Sequence, residues 1–320
     1  MERKNKKMRA FLFPGQGSQK LKMGLDLYEN FAEAKDVFEE VDSALNQKLS
    51  SVIFGDDADA LNKTENTQPA LFAMSLAVLK VIENQSGKKL NEICDMVAGH
   101  SLGEYSALVA CGAMPLATGA RILKIRAKAM AEAVPAGVGA MMAIIGLDIE
   151  KVREVCEKAT EGDSSCSVAN DNCPGQIVIS GYKDAVERAQ VIAKELGAKK
   201  SVILPVSVPA HCPLMMPAKE IVENALSEIT MQNPVIPFVS NRTAEFAMEA
   251  KDIKEHLALQ MINGVRFRES VNFMVDKGVT EFIEVGNGNV LSGLVKRTTD
   301  KATSTPVGNI ETITEFLKTL

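Results

Sequence analysis

With 320 residues, 46% of them hydrophobic and 24% charged, the chain suits one large domain, or a large domain with a small one. A formal net charge of −5, with no basic stripe carrying interleaved aromatics, excludes a nucleic-acid binder. Six cysteines without C-x-x-C spacing indicate neither a zinc site nor a disulfide framework and fit a reducing cytoplasm. No run of about 18 apolar residues is present to span a membrane.

Residues 1–7 read as a flexible, solvated extension. Residues 10–13 follow as a buried strand ended by Pro14, which opens into the loop Gly15-Gln16-Gly17-Ser18-Gln19. Such a loop can cradle phosphate, but Lys20 stands where a dinucleotide motif needs its third glycine, and no Walker pattern is completed. A loop at the end of a central strand can instead lend a backbone N–H to an oxyanion, and this reading fits better. Phe31, Phe38, Val41 and Leu45 recur at helical spacing and predict an amphipathic helix over 30–46. Thr67 is placed to cap the next helix, with Pro69 in its first turn and Leu71, Met74, Val78 and Ile82 on its buried face.

The run Asp95 to Tyr105 predicts a short buried strand, the turn Gly99-His100-Ser101-Leu102-Gly103, and a helix through Ala107, Leu108 and Ala110. Gly-x-Ser-x-Gly between a strand and a helix is the nucleophile-elbow pattern. So sharp a bend strains the serine backbone and leaves room only for glycine on either side. It presents the Ser101 hydroxyl beside the free N–H groups of a helix start, where an oxyanion can be held.

Pro115 starts a long helix running to about Val134. Its Arg121, Lys124, Arg126 and Lys128 do not share one face. Arg126 lies among Ile122, Leu123, Ile125 and Ala129, yet on periodicity alone a surface arginine is the preferred reading. From 137 the rhythm changes: strand 140–145, helix 149–159, strands 166–169 and 176–180, helix 184–196, strand 200–206. This βαββαβ order is the ferredoxin-like arrangement, so 137–206 is expected to be a small inserted subdomain. The main domain, 8–136, resumes over 207–320 with helices near 213–229, 252–262 and 266–277, strands at 237–240 and 281–285, a helix through Leu291 and Leu294, and a last helix near 311–319.

A serine nucleophile needs a base, and the chain has three histidines. His100 adjoins Ser101 and, pointing away from it, is expected to buttress the turn. His256 occupies a solvated helical position beside Lys254 and Glu255. His211 lies in the rigid loop Val208-Pro209-Ala210-His211-Cys212-Pro213 after a strand, as a fixed general base requires. Asp148 and Asp171 are possible third members by chain order. A backbone or side-chain carbonyl can orient the imidazole instead, and a Ser-His dyad is preferred.

Five stretches together resemble the malonyl-CoA:acyl carrier protein transacylase family. They are Phe13-Pro14-Gly15-Gln16-Gly17-Ser18-Gln19, Gly99-His100-Ser101-Leu102-Gly103-Glu104-Tyr105, Val206-Ser207-Val208-Pro209-Ala210-His211, Asn172-Cys173-Pro174-Gly175-Gln176-Ile177-Val178, and Glu284-Val285-Gly286 with Leu291-Ser292-Gly293-Leu294. They span about 8–298 in the family's order. The resemblance implies a hydrolase-like α/β core with a parallel sheet and an inserted ferredoxin-like subdomain. It implies that Ser101 is acylated, His211 is its base, and the N–H groups of Gln16 and Leu102 form the oxyanion hole. Arg126 then holds the malonyl carboxylate, reversing the surface reading, while Gln260 stands near the histidine and Asn172 and His100 line the acyl site. Two departures stand out: Gly286-Asn287-Gly288-Asn289 replaces the usual Gly-Pro-Gly-Lys, and Ala210 stands where serine is frequent. The implied enzyme is a cytoplasmic monomer of fatty acid biosynthesis that uses malonyl-CoA and acyl carrier protein and needs no metal or other cofactor.

Overall fold

The computed structural model describes residues 7–206 and 208–320. Of the expected extension, Lys7 alone is among them, and its ammonium pairs with Glu281 at 2.7 Å; residues 1–6 and Ser207 lie outside the described residues. The described strands are β1 (Met8–Phe13), β2 (Met96–Gly99), β3 (Gly139–Ile145), β4 (Cys166–Cys173), β5 (Gln176–Tyr182), β6 (Lys200–Ile203), β7 (Phe238–Val239), β8 (Phe246–Ala247), β9 (Val279–Val285) and β10 (Thr303–Val307).

Alternation along the two central strands explains the main layer. Phe11, Phe13 and Val97 face one apolar cluster, whereas Ala10, Leu12, Met96 and Ala98 face another. Successive strand residues point to opposite faces, so strands apolar on both need helices on both. The sheet runs β10-β9-β1-β2-β7-β8 and is parallel except for β8 at one edge. The pairing of β1 with β2 ends at Phe13 opposite Gly99, so the loop after β1 and the turn after β2 leave the sheet side by side.

The second sheet is antiparallel, ordered β4-β5-β3-β6, as the βαββαβ reading requires. One face carries Met142, Ile144, Ile177 and Ile179 against the helices Ile149–Ala159 and Lys183–Glu195. Met141 and Val178 on the other face pack with Ala169 and with Ala210, beside His211. Strand β4 is longer than the expected 166–169. Two bulges carry it on to Cys173, and Asn170 bridges Val265 of the main body, with the Asp171 N–H bonded to the Val265 carbonyl at 2.9 Å.

Three local readings need correction. The long helix is Thr64–Ser86, capped at Lys63, so Thr67 lies inside it and bonds back to the Leu61 carbonyl at 2.6 Å. Pro69 is therefore interior and cannot donate to the Glu65 carbonyl; Lys124 Nζ occupies that acceptor at 3.0 Å. The last small-sheet strand stops at Ile203. Strands β8 and β10 were not expected, because two residues of β8 carry no periodicity and Pro306 in β10 argues against a strand anywhere but at an edge, where β10 lies.

Candidate active site

The elbow forms as its sequence requires. Ser101 has φ 53°, in the left-handed region that a residue with a Cβ enters only under constraint. A Cβ at Gly99 would lie 1.9 Å from the Gly103 carbonyl carbon, and one at Gly103 would lie 2.1 Å from the Phe13 oxygen. Most N–H groups of the turn are taken. Ser101 N donates to Asn241 Oδ1 at 2.8 Å, and Gly103, Glu104 and Tyr105 donate to His100, Ser101 and Leu102 carbonyls. The N–H of Leu102 has no acceptor among the described residues, and neither has that of Gln16. Gly15 packs directly on the elbow, where a Cβ would lie 2.6 Å from the His100 oxygen. The glycine-rich loop thus lies against the serine turn instead of opening on a helix start, since the next helix is Leu25–Asn30. Gln16 is fixed in turn by Thr64 Oγ1, which donates to Gln16 Oε1 at 3.2 Å.

His211 and Arg126 meet at the Ser101 hydroxyl. His211 Nε2 is 2.8 Å from Ser101 Oγ, and His211 Nδ1 is 2.8 Å from the Gln260 backbone oxygen. His211 also has a left-handed backbone, at φ 61°. Burial, then the Arg126 charge, holds its pKa down at about 3, so the imidazole is neutral and able to accept a proton at ordinary pH. The imidazole is thus held between the Ser101 hydroxyl and a backbone carbonyl. Asp148 caps the helix Ile149–Ala159, and Asp171 pairs with Arg268 at 2.7 Å, so neither touches His211.

Arg126 is 1% exposed, which overturns the surface reading. Its Nη2 donates to Ser101 Oγ and to Gln260 Oε1, each at 3.0 Å, and its Nη1 to Gln68 Oε1 at 2.5 Å. Gln260 Nε2 reaches Glu104 Oε2 at 2.5 Å and the Ser101 carbonyl at 3.1 Å. Asn172, at the end of β4, meets His100 Nε2 through Oδ1 at 2.8 Å, and the His100 ring stacks near Phe267 with centroids 5.4 Å apart. A neutral base on a serine held in a strained turn, with free N–H groups and a buried guanidinium beside it, is equipped for acyl transfer to and from the hydroxyl.

Comparison with known proteins agrees with that chemistry. Residues 10–314 match the acyl transferase domain family. The malonyl CoA-acyl carrier protein transacylase of Bacillus subtilis is 47% identical over 97% of this chain and 96% of its own length; that of Escherichia coli K12 is 44% identical over 92% and 94%. Among solved structures, an acyl-carrier-protein S-malonyltransferase from Bartonella henselae superposes with a TM-score of 0.95 at 45% identity, covering 98% of this chain and 99% of that one. The chain belongs to the malonyl CoA-acyl carrier protein transacylase family. It is an acyltransferase with the family's two-sheet α/β architecture. A further neighbour, a malonyl-transacylase solved in complex with a type II PKS acyl-carrier protein, has a TM-score of 0.94 at 40% identity, covering 98% and 100% of the two chains.

Sequence reasoning missed three members of this site. Glu104 is 1% exposed in the helix Gly103–Ala110; its signal was a lone charge between Gly103 and the apolar run from Tyr105. Asn241, fully buried, follows β7 at the carboxyl edge of the parallel sheet, where ligand sites of such sheets lie. Gln68 gave no sequence signal. His256 is half-buried one turn before Gln260, with Nδ1 unpartnered among the described residues, and is not the solvated residue expected.

Proposed function

We propose that this acyltransferase moves the malonyl group of malonyl-CoA to the phosphopantetheine thiol of an acyl carrier protein through a malonyl-Ser101 ester, supplying fatty acid biosynthesis. The observation that carries the reading is the meeting of His211 Nε2 and Arg126 Nη2 on one hydroxyl, at 2.8 and 3.0 Å. An acyl group bonded to that oxygen and carrying a terminal carboxylate finds a planar two-donor cation within reach. The names of the relatives, and the neighbour held by an acyl-carrier protein, support the same substrates.

The steps follow from the groups. His211 takes the Ser101 proton as Oγ attacks the thioester carbonyl, and the Gln260 carbonyl keeps the imidazole oriented through Nδ1–H. The N–H groups of Leu102 and Gln16 hold the oxyanion. The coenzyme A sulfur leaves with the proton from His211. The carrier thiol then attacks the ester by the reverse sequence, giving ping-pong kinetics. Nucleophile, base and oxyanion donors complete this chemistry, so no metal or other cofactor is called for. His100 and Asn172 line the acyl side.

The same reading divides the chain into a hydrolase-like body, 8–136 with 207–320, and a ferredoxin-like subdomain, 137–206, supported by the separate sheet and its own apolar cluster. It takes the protein to be a cytoplasmic monomer. Separately, among the described residues no helix is long and apolar enough to cross a membrane. Intact mass after mixing with malonyl-CoA, and again after adding phosphopantetheinylated carrier protein, tests the proposal. A malonyl adduct that appears and then passes to the carrier is expected. Free malonate with no carrier adduct would make the protein a hydrolase and overturn it.

A further inference from the structure

Arg126 is a buried cation that no carboxylate touches among the described residues. Its partners are two amide oxygens and a hydroxyl, with the Tyr105 ring centroid 5.7 Å away. Such a charge is costly unless an opposite one stands near. Glu104 stands one amide away, joined to Arg126 through Gln260, whose Oε1 accepts from the arginine while its Nε2 donates to the glutamate. The other Glu104 oxygen accepts the Asn241 N–H at 2.6 Å. Both oxygens thus face donors, an arrangement that suits the ionised form.

An acyl carboxylate arriving on Arg126 places a second buried anion beside the same cation. Two carboxylates sharing one site do not both stay ionised at ordinary pH. We propose that Glu104 is a specificity-determining residue: it carries a proton while an acyl group with a terminal carboxylate rests on Arg126, and its ionised form rejects such a group but not an uncharged one. The proton comes from solvent. One Glu104 oxygen goes on accepting from Asn241, and the other donates to Gln260 Oε1 once that amide turns over, which directs Nε2 towards the acyl carboxylate. This inference rests on the malonyl-transfer reading and adds to it the second half of the carboxylate site.

The surroundings suit a group that gains and loses a proton near physiological pH. Burial raises the Glu104 pKa to about 8 against the opposing pull of its hydrogen bonds and of Arg126. The other titratable groups packed there stay fixed in that range: burial pushes the Tyr105 hydroxyl up to about 12, and His211 and His100 are held neutral by burial.

The test is kcat/KM for malonyl-CoA and for acetyl-CoA across neutral to alkaline pH, taken as a ratio so that effects on Ser101, His211 and coenzyme A cancel. The ratio is expected to be level near neutrality and, above the Glu104 pKa, to fall about tenfold per pH unit. In Glu104→Gln, which cannot ionise, it should stay level throughout. A level ratio in the wild type, or the same fall in Glu104→Gln, overturns the proposal. Should that variant not fold, proton uptake by the wild type is read with an indicator dye in weak buffer near pH 8. Acylation from malonyl-CoA should take up more protons than acylation from acetyl-CoA, and equal uptake overturns it. Wild-type enzyme that accepts acetyl but never malonyl groups would instead refute the malonyl-transfer reading, and this inference with it.

Discussion

The two sheets contribute to the site in different ways. Strands β1, β2 and β7 of the large sheet are parallel, and the turns beyond their carboxyl ends bring Gly15-Gln16, Ser101 and Asn241 to one place. The small sheet is antiparallel and delivers Asn172 at the far end of β4, together with an apolar face packed near Ala210. Parallel strands end side by side, so the backbone N–H groups of successive turns converge on one point, which is what an oxyanion needs. An antiparallel sheet presents side chains across its face, which makes a wall. Bond-making is therefore expected to depend on the first sheet, and the second to supply only the far wall of the acyl site.

The sharpest way to break this division is Ser101→Ala. It should fold and form no malonyl-enzyme by intact mass, because the proposed mechanism bonds the acyl group to that hydroxyl; an adduct at the wild-type rate would disprove the elbow assignment. His211→Ala comes next, with acylation slowed by about 10²–10⁴-fold or more, the contribution of a general base. Both histidine variants are read by stopped-flow acylation from malonyl-CoA, in which His256→Ala should stay near normal although that side chain is half-buried.

Arg126→Ala should lower kcat/KM for malonyl-CoA by about a hundredfold or more, since hydrogen bonds to a charged group contribute roughly 1.5–3 kcal/mol each. Transfer of acetyl groups should hold or improve. The variant also carries a pH signature. A histidine held below its ordinary pKa stays an active base well below pH 6.5, the ordinary value, and the Arg126 charge is one cause. Wild-type acylation should accordingly lack an acid limb near pH 6.5, and in Arg126→Ala the limb should move upwards. For folding the sign is the same: the unfolded histidine takes its proton first as pH falls, so stability is lost between about 6.5 and about 3.

Smaller effects belong to the wall. Asn172→Ala removes the His100 contact and should cost about 1 kcal/mol of stability and a few-fold to tenfold in kcat/KM, mostly through KM. Ile203→Lys, on the exposed edge strand β6, should change activity by less than about twofold, as a surface replacement does. A large loss there would show that the outer edge of the small sheet is not remote from the reaction.

How legible each part was follows from the same physics. The central strands, the elbow and the βαββαβ unit rest on local periodicity and turn chemistry, which a chain carries in its own sequence. Ser101 and His211 were readable because a strained turn and a proline-flanked loop mark their positions. Arg126 was not readable from its helix. Whether an arginine among apolar neighbours faces solvent depends on what covers it, here Gln68 and Gln260 from helices 58 and 134 residues away. Glu104 and Asn241 were missed for a related reason: their partners are each other, Gln260 and the serine turn, all far apart along the chain except for Glu104 and the turn. Thr67 was misplaced as a cap because Lys124, a distant residue, lets the helix run through Pro69.

The closeness of Gly99 and Gly103 to their neighbours has a consequence for altering which acyl groups the enzyme accepts. With gaps this small, the loop after β1, the end of β2 and the serine turn are one block, and widening it by substitution would displace Ser101 and the Gln16 and Leu102 N–H groups together. Room for a bulkier acyl chain has to be made elsewhere, at Asn172 on the small sheet or around Gln68 and Arg126. Redesign for branched or longer building units should therefore begin with libraries at those positions and leave the glycines alone.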